Sequence, residues 1–267
     1  MRRVVDTFTP FAGLRQRMPR RRRMTYRSTR TACFAIVVIV LSVVSIHAHA
    51  ALSVVGTRFV YQGGARAKTI TTRNLGNVPI LVQVWLDEGD ANADPSGLRV
   101  PFLVAPPLAR LEPNQTLAVR VRAVGDELAP DRESCFWINL LEVPPAGPAD
   151  NTLRIAYRLR MKLLYRPQGI AGDPRDAPDR LQWTYSDTGR RPVLVPINPT
   201  PYYVTLTRVV VEGRAVVLAG GALDVAPFGR TEVPLDAQRG VPEGEIVFDA
   251  VDDGGSSHEH RGRLNPP

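Results

Sequence analysis

The sequence predicts an all-β fold of two immunoglobulin-like β-sandwich domains, and three observations predict it. From Ala51 onward no long stretch repeats with a helical period; short segments alternate apolar and polar residues with period two instead. The chain's 24 Pro and 21 Gly fall with Asn and Asp in clusters between those segments, as turns between strands require. One break, RPQGIAGDPRDAPDR at 166 to 180, is longer than the rest and reads as a linker between two strand-rich units.

In chain order, residues 1–50 read as a signal peptide, 51–168 as the first domain and 169–267 as the second. The first domain's expected strands are Arg58 to Tyr61, Thr69 to Arg73, Ile80 to Leu86, Leu117 to Arg122 and Phe136 to Glu142, followed by a longer one. The second unit's are Leu181 to Tyr185, Val193 to Asn198, Tyr202 to Val211, Ala215 to Leu218, Thr231 to Pro234 and Glu245 to Val251. No internal period indicates a repeat array.

The longer strand lies within NTLRIAYRLRMKLLYRP, residues 151 to 167. Leu153, Ile155, Tyr157, Leu159, Met161, Leu163 and Tyr165 occupy every second position, with Arg154, Arg158, Arg160, Lys162 and Arg166 between them. This period is sustained for about twice the usual strand length of roughly 5 to 6 residues. Exposed apolar strand edges aggregate, so such a segment is either locked inside a sheet or built to pair with another chain.

The net charge of +8 invites a nucleic-acid reading, but its distribution does not support one. Ten of the 34 cationic residues and one of the 26 acidic residues lie in positions 1 to 50, leaving 24 against 25 in the remainder. The basic segment has the three parts of a secretory signal: an Arg-rich lead, the apolar run Ala32 to Ile46, and the small-x-small site Ala48-His49-Ala50. The run is shorter than a spanning helix needs, so cleavage after Ala50 and an exported protein are expected. Met18 or Met24 is an alternative start, and the four arginines at 20 to 23 lack the context of twin-arginine export.

Little in the mature chain can do covalent chemistry. Cys33 lies in the signal, so Cys135 is alone in CFWINLL and reads as a small buried hydrophobe. Of four His, two leave with the signal, and His258 and His260 in SSHEHRGR read as solvated polar residues of a terminal strand or tail. No GxSxG elbow, phosphate loop, CxxC pair or HExxH helix is present. Asp131 and Glu133, flanked by Arg132, read as ion-paired structure on one strand face rather than a hydrolytic dyad. A non-enzymatic protein without cofactor or metal is expected.

Seven collinear blocks carry a resemblance: GTRFVYQGG (56 to 64), PILVQVWLDE (79 to 88), PFLVAPPLARLEP (101 to 113), LAPDRESCFWINLLEVPP (128 to 145), LRIAYRLRMKLLYRP (153 to 167), INPTPYYVTLTRV (197 to 209) and VDDGG (251 to 255). In these the chain resembles the PapD-like periplasmic chaperones of the chaperone-usher pilus pathway. The resemblance implies two immunoglobulin-like domains set at an angle around a cleft. It also implies a function: to fold, stabilise and cap pilus subunits by lending them a strand, and to deliver them to an outer-membrane usher. The lent side chains would be Leu153, Ile155 and Tyr157, with Leu159 as a fourth, entering the groove of a subunit that lacks its final strand. Arg58 and Lys162 match a cation pair that would bind the subunit's C-terminal carboxylate and so set the register. Glu133, Arg166 and Asp252 match a charge link between the domains, with Asp253 able to substitute for Asp252. Tyr157 stands where the family usually has a branched aliphatic residue, and Ala109 where it often has an aromatic. The short connection from Pro144 to Leu153 resembles that of chaperones serving rod-forming pili. Implied partners are pilus subunits and an usher, with self-association of the free protein masking the apolar row.

Two other readings compete. A two-domain binding module for a surface ligand would carry clustered aromatics on loops, whereas Trp85, Trp137 and Trp183 lie within expected strands. An exported hydrolase would have to rely on carboxylates alone.

Overall fold

A computed structural model describes residues 51–125, 128–145, 155–186, 192–235 and 244–264. The signal segment and Leu153 lie outside them. The first domain contains β1 (Leu52–Val54), β2 (Arg58–Gln62), β3 (Lys68–Asn74), β4 (Ile80–Asp87), β5 (Phe102–Ala105), β6 (Leu108–Leu111), β7 (Thr116–Ala123), β8 (Ser134–Val143) and β9 (Tyr157–Arg166). They form two facing sheets, of order β1-β3-β7-β5 and β2-β9-β8-β4-β6. Inward residues such as Ile70, Val82, Val84, Val119, Val121, Ile138 and Leu163 fill the space between them. Alternation puts one side chain in two on that buried face, which is why the period-two pattern is visible in the sequence.

The second domain contains β10 (Gln182–Ser186), β11 (Val193–Ile197), β12 (Val204–Val211), β13 (Arg214–Val216), β14 (Leu223–Val225), β15 (Val233–Pro234), β16 (Glu245–Val251) and β17 (Ser257–Arg263). Its sheets run β10-β11-β15 and β13-β12-β16-β17, with β14 also paired to β12. A separate core gathers around Trp183 and Phe248, whose ring centroids are 5.1 Å apart. Each domain therefore has its own core, as independent folding units do.

The strands that the sequence reading missed are short or lack an apolar face. β5 and β6 have four residues each and are separated by Pro106-Pro107, and β14 has three. β17, SHEHRGR, buries none of its side chains and is defined by backbone pairing to β16. The expected linker holds two short 3₁₀ turns, Pro174–Asp176 and Pro178–Arg180, with Ala177 buried between them. Asp131 and Glu133 do not share a strand face, because both precede β8: exposed Asp131 pairs with Arg132, while Glu133 is buried.

Two features of the first domain position the site. The chain leaves the first sheet after β1 and enters the second at β2, turning at Gly56 with φ of 106°, a conformation glycine adopts without steric cost. β2 then runs parallel to β9 over Lys162 to Arg166 alone, whereas β8 flanks β9 from Tyr157 to Tyr165. Among the described residues, the flank of β9 from Tyr157 to Met161 on the β2 side has no strand partner.

Candidate functional site

β9 changes character along its length. Leu163 is fully buried and Met161 nearly so, both packed in the first domain's own core. Leu159 is half-buried against the same core, so its side chain is largely committed to this domain. Tyr157 is 40% exposed and Ile155 51% exposed. Two of the four expected donor residues thus project free of the core, Leu159 rests against it, and Leu153 is not among the described residues.

At the buried end of that row two cross-strand pairs face each other, one from each domain. Arg58 and Lys162 are register partners across β2 and β9, and Thr205 and Asp224 across β12 and β14. The Thr205 Oγ1 hydroxyl accepts from Arg58 Nη2 at 2.7 Å and Lys162 Nζ at 2.9 Å, and donates to Asp224 Oδ1 at 2.6 Å. Its one donor and two acceptor positions are all in use. Lys162 also donates to Asp224 Oδ1, and Arg58 Nη1 reaches the carbonyls of Val251 at 2.9 Å and Asp252 at 3.3 Å. Both cations are more than nine-tenths buried. Burial pushes the Arg58 guanidinium down from its ordinary value, and the negative charge of Asp224 opposes that shift. Lys162 Nζ lies 5.3 Å from the Trp137 ring centroid, and the Arg160 guanidinium stacks on the same ring at 4.1 Å.

The charge is not balanced here. Two cations meet one carboxylate, leaving one positive charge at a nearly dry position, where the attraction for an anion is far stronger than in water. Arg58 and Lys162 bring about five and three N–H groups respectively, of which contacts among the described residues engage five. Donors therefore remain for a further acceptor. Asp224 and Thr205 were not anticipated as site residues from the sequence: LDV carries no motif, nothing singles out Thr205 within its block, and only the pairing of β12 with β14 brings the two residues together.

A second charged cluster lies two pleats further along β9. Arg166 Nε donates to Glu133 Oε1 at 2.6 Å, and its Nη1 and Nη2 donate to the two oxygens of Asp253 at 2.7 and 2.8 Å. Glu133 Oε2 accepts the Tyr203 backbone N–H at 2.7 Å, so both carboxylates tie one domain to the other. Burial works against the charged guanidinium, but the bonds and charges of Asp253 and Glu133 more than offset it, and the Arg166 pKa rises. The expectation for Asp252 is corrected: its carboxylate turns instead to His258 Nε2 at 2.9 Å and the Ser256 N–H at 2.8 Å. The adjacent Asp253 meets Arg166, because the β16–β17 turn holds Asp252 inward as its own brace. Gly255 in that turn has φ of 88°, and a Cβ there would collide with Thr57 Oγ1 of the first domain. This packing gives the VDDGG block a physical reason.

Cys135 lies near the cations, yet burial pushes its thiol up to about 12, so it stays protonated at neutral pH. His258, Glu259 and His260 do not converge: His260 Nδ1 pairs with Asp179, and Glu259 with Arg208 and Arg261. Among the described residues no three His, Cys, Asp or Glu side chains cluster as metal ligands. A cavity of about 590 Å³ borders Arg58 and Arg166; its other charged side chains are ion-paired, and Arg58 donates to the Val251 carbonyl.

Comparison with known proteins agrees with this architecture. Residues 51–171 match the family described as pili and flagellar-assembly chaperone, PapD N-terminal domain, and 176–262 match the pili assembly chaperone PapD, C-terminal domain. The chain belongs to the PapD-like pilus chaperone family. It is 38% identical over 215 residues to the chaperone protein FimB/FhaD of Bordetella pertussis, covering 78% of this chain and 86% of that protein. It is 35% identical over 216 residues to the probable fimbrial chaperone YadV of Escherichia coli, covering 78% and 88%. A chain in the solved complex of Salmonella enterica SafA pilin with the SafB chaperone superposes with a TM-score of 0.67 at 31% identity, covering 80% of this chain and 96% of that one. The family is one of pilus chaperones rather than enzymes. In this chain the two cross-strand pairs and the Arg166 cluster form the boundary between the two domains.

Proposed function

We propose that this protein is a periplasmic chaperone that completes the sandwich of a pilus subunit with β9 and the residues before it. The observation that carries this reading is one strand with two kinds of neighbour. β9 is closed on both flanks where it meets the cations and open on one flank from Tyr157 to Met161, with Ile155 and Tyr157 exposed beyond. A subunit lacking its last strand would pair its edge with that open flank and take Leu153, Ile155 and Tyr157 into its groove. Each apolar side chain moved from exposure to burial contributes about 1.5 to 3 kcal/mol before ordering terms, enough for a row of them to sustain a tight complex.

Register is the second requirement, since a slip of one residue turns every side chain to the wrong face. The unbalanced positive charge at Arg58 and Lys162 would supply it by receiving the subunit's C-terminal carboxylate through charge-assisted hydrogen bonds. The Glu133, Arg166 and Asp253 cluster would hold the domain angle. Subunit folding and strand exchange would drive the cycle, ending in delivery to an outer-membrane usher. The solved complex of SafA pilin with a related chaperone supports a pilus subunit as the client.

Co-expression with pilus subunits from the same genome, followed by periplasmic pull-down, tests the reading. A stoichiometric complex with wild type that is lost with Arg58→Ala and with Lys162→Ala is the expected result. A complex indifferent to both substitutions would overturn the anchor.

A further inference from the structure

The carboxylate that Lys162 already holds has the chemistry of the carboxylate it is proposed to receive. Asp224 sits on the three-residue edge strand β14, preceded by Gly220 and Gly221, both with positive φ. Its side chain is 32% exposed, whereas that of Lys162 is 10% exposed, so Asp224 covers the cation from the solvent side. The Thr205 hydroxyl has a single proton, and that proton is committed to Asp224. While Asp224 is seated, a second carboxylate gains neither the Thr205 proton nor the Lys162 N–H that Asp224 occupies. Once Asp224 turns outward, both donors pass to the newcomer.

We infer that Asp224 is a built-in stand-in for the client's C-terminal carboxylate. It neutralises Lys162 in the free protein and competes with the client's terminus for that cation and for the Thr205 proton, so the terminus gains its full set of donors only when Asp224 turns outward. This rests on the anchoring role proposed above and adds a determinant of selectivity: only a full negative charge competes with Asp224, so a neutral terminus binds without reaching Lys162.

The test uses the full mature protein and a C-terminal strand peptide of a pilus subunit that it binds on co-expression, made as the free acid and as the C-terminal amide. Binding of both is measured to wild type, Asp224→Asn and Asp224→Ser, with thermal melting confirming that each variant is folded. The asparagine keeps the size of the side chain and an acceptor for Thr205 while removing the charge. The expected result is about tenfold tighter binding of the free acid to both variants with amide binding unchanged, a shift of roughly 1.4 kcal/mol. Unchanged or weaker acid binding to both variants, with wild type still preferring the acid, would overturn the stand-in and leave the anchor intact. A wild type that does not distinguish acid from amide would overturn the anchor and the stand-in together.

Discussion

The two charged clusters at the domain boundary are built from the same strand and differ in sign. Arg166 faces two carboxylates, Glu133 and Asp253, and all its contacts are made within the chain. Four residues earlier on the same face of β9, Lys162 and its partner Arg58 face one carboxylate, Asp224. The first cluster has an excess of acid, part of it exposed on Asp253, and has the character of a clamp. The second has an excess of buried positive charge, which is unfavourable unless something with a negative charge arrives. Similar residue types, spaced by two pleats, therefore serve cohesion in one place and reception in the other.

Arg166→Ala probes the clamp and should have the largest effect. It leaves Glu133 buried without its cation, and breaking such a pair costs about 3 to 5 kcal/mol of stability. Chemical denaturation would read this, and a loss below about 1 kcal/mol would show that the cluster does not hold the domains. Lys162→Ala probes the receptor: client-peptide affinity should fall by about 2 to 5 kcal/mol, measured by calorimetry. Folding stability should fall less than in Arg166→Ala, because Asp224 is partly exposed and stays hydrated.

Ile155→Asp tests the residues just before β9. It should weaken client binding by about 1.5 to 3 kcal/mol and leave the protein's own stability unchanged, since Ile155 is half exposed. An equal loss of intrinsic stability would place Ile155 in this domain's core instead. The smallest effect belongs to Asp252→Asn. Hydrogen bonds from His258 and the Ser256 N–H hold the Asp252 carboxyl below its ordinary value of 3.8. A depressed folded pKa contributes stability above the unfolded value and loses it as pH falls through the folded one. Wild type should therefore lose this contribution below about pH 4 while the asparagine variant does not, with the two within about 0.5 kcal/mol at pH 7. A loss of interdomain stability at pH 7 like that of Arg166→Ala would restore Asp252 as the clamp partner.

How much of this was legible in the sequence depended on whether a residue's role is local. The alternation from Leu153 to Tyr165 marks a strand because period two is a property of the backbone itself, and Arg58, Lys162, Glu133 and Arg166 stand out within recognisable blocks. The point along that row where the core takes over was not legible. Leu159 and Ile155 share the same alternation, and the route of β2, set by the turn at Gly56, decides which flank is covered. Asp252 and Asp253 are indistinguishable by spacing, and the hydrogen bonds inside the β16–β17 turn separate them. Thr205 lies within a recognisable block, but nothing there marks it as a partner of Lys162, and Asp224 carries no signal at all, because their meaning comes from a β12–β14 register and from a second domain packed against it.

The central claim is that the Lys162 cluster reads a carboxylate and the Arg166 cluster does not. The most direct test is a pair of thermodynamic cycles in which amidation of the client peptide's C terminus is combined with Lys162→Ala in one and Asp253→Asn in the other. The account predicts a coupling of at least about 1.4 kcal/mol between amidation and Lys162→Ala, and none with Asp253→Asn. Equal coupling in both cycles, or none with Lys162→Ala, would contradict it.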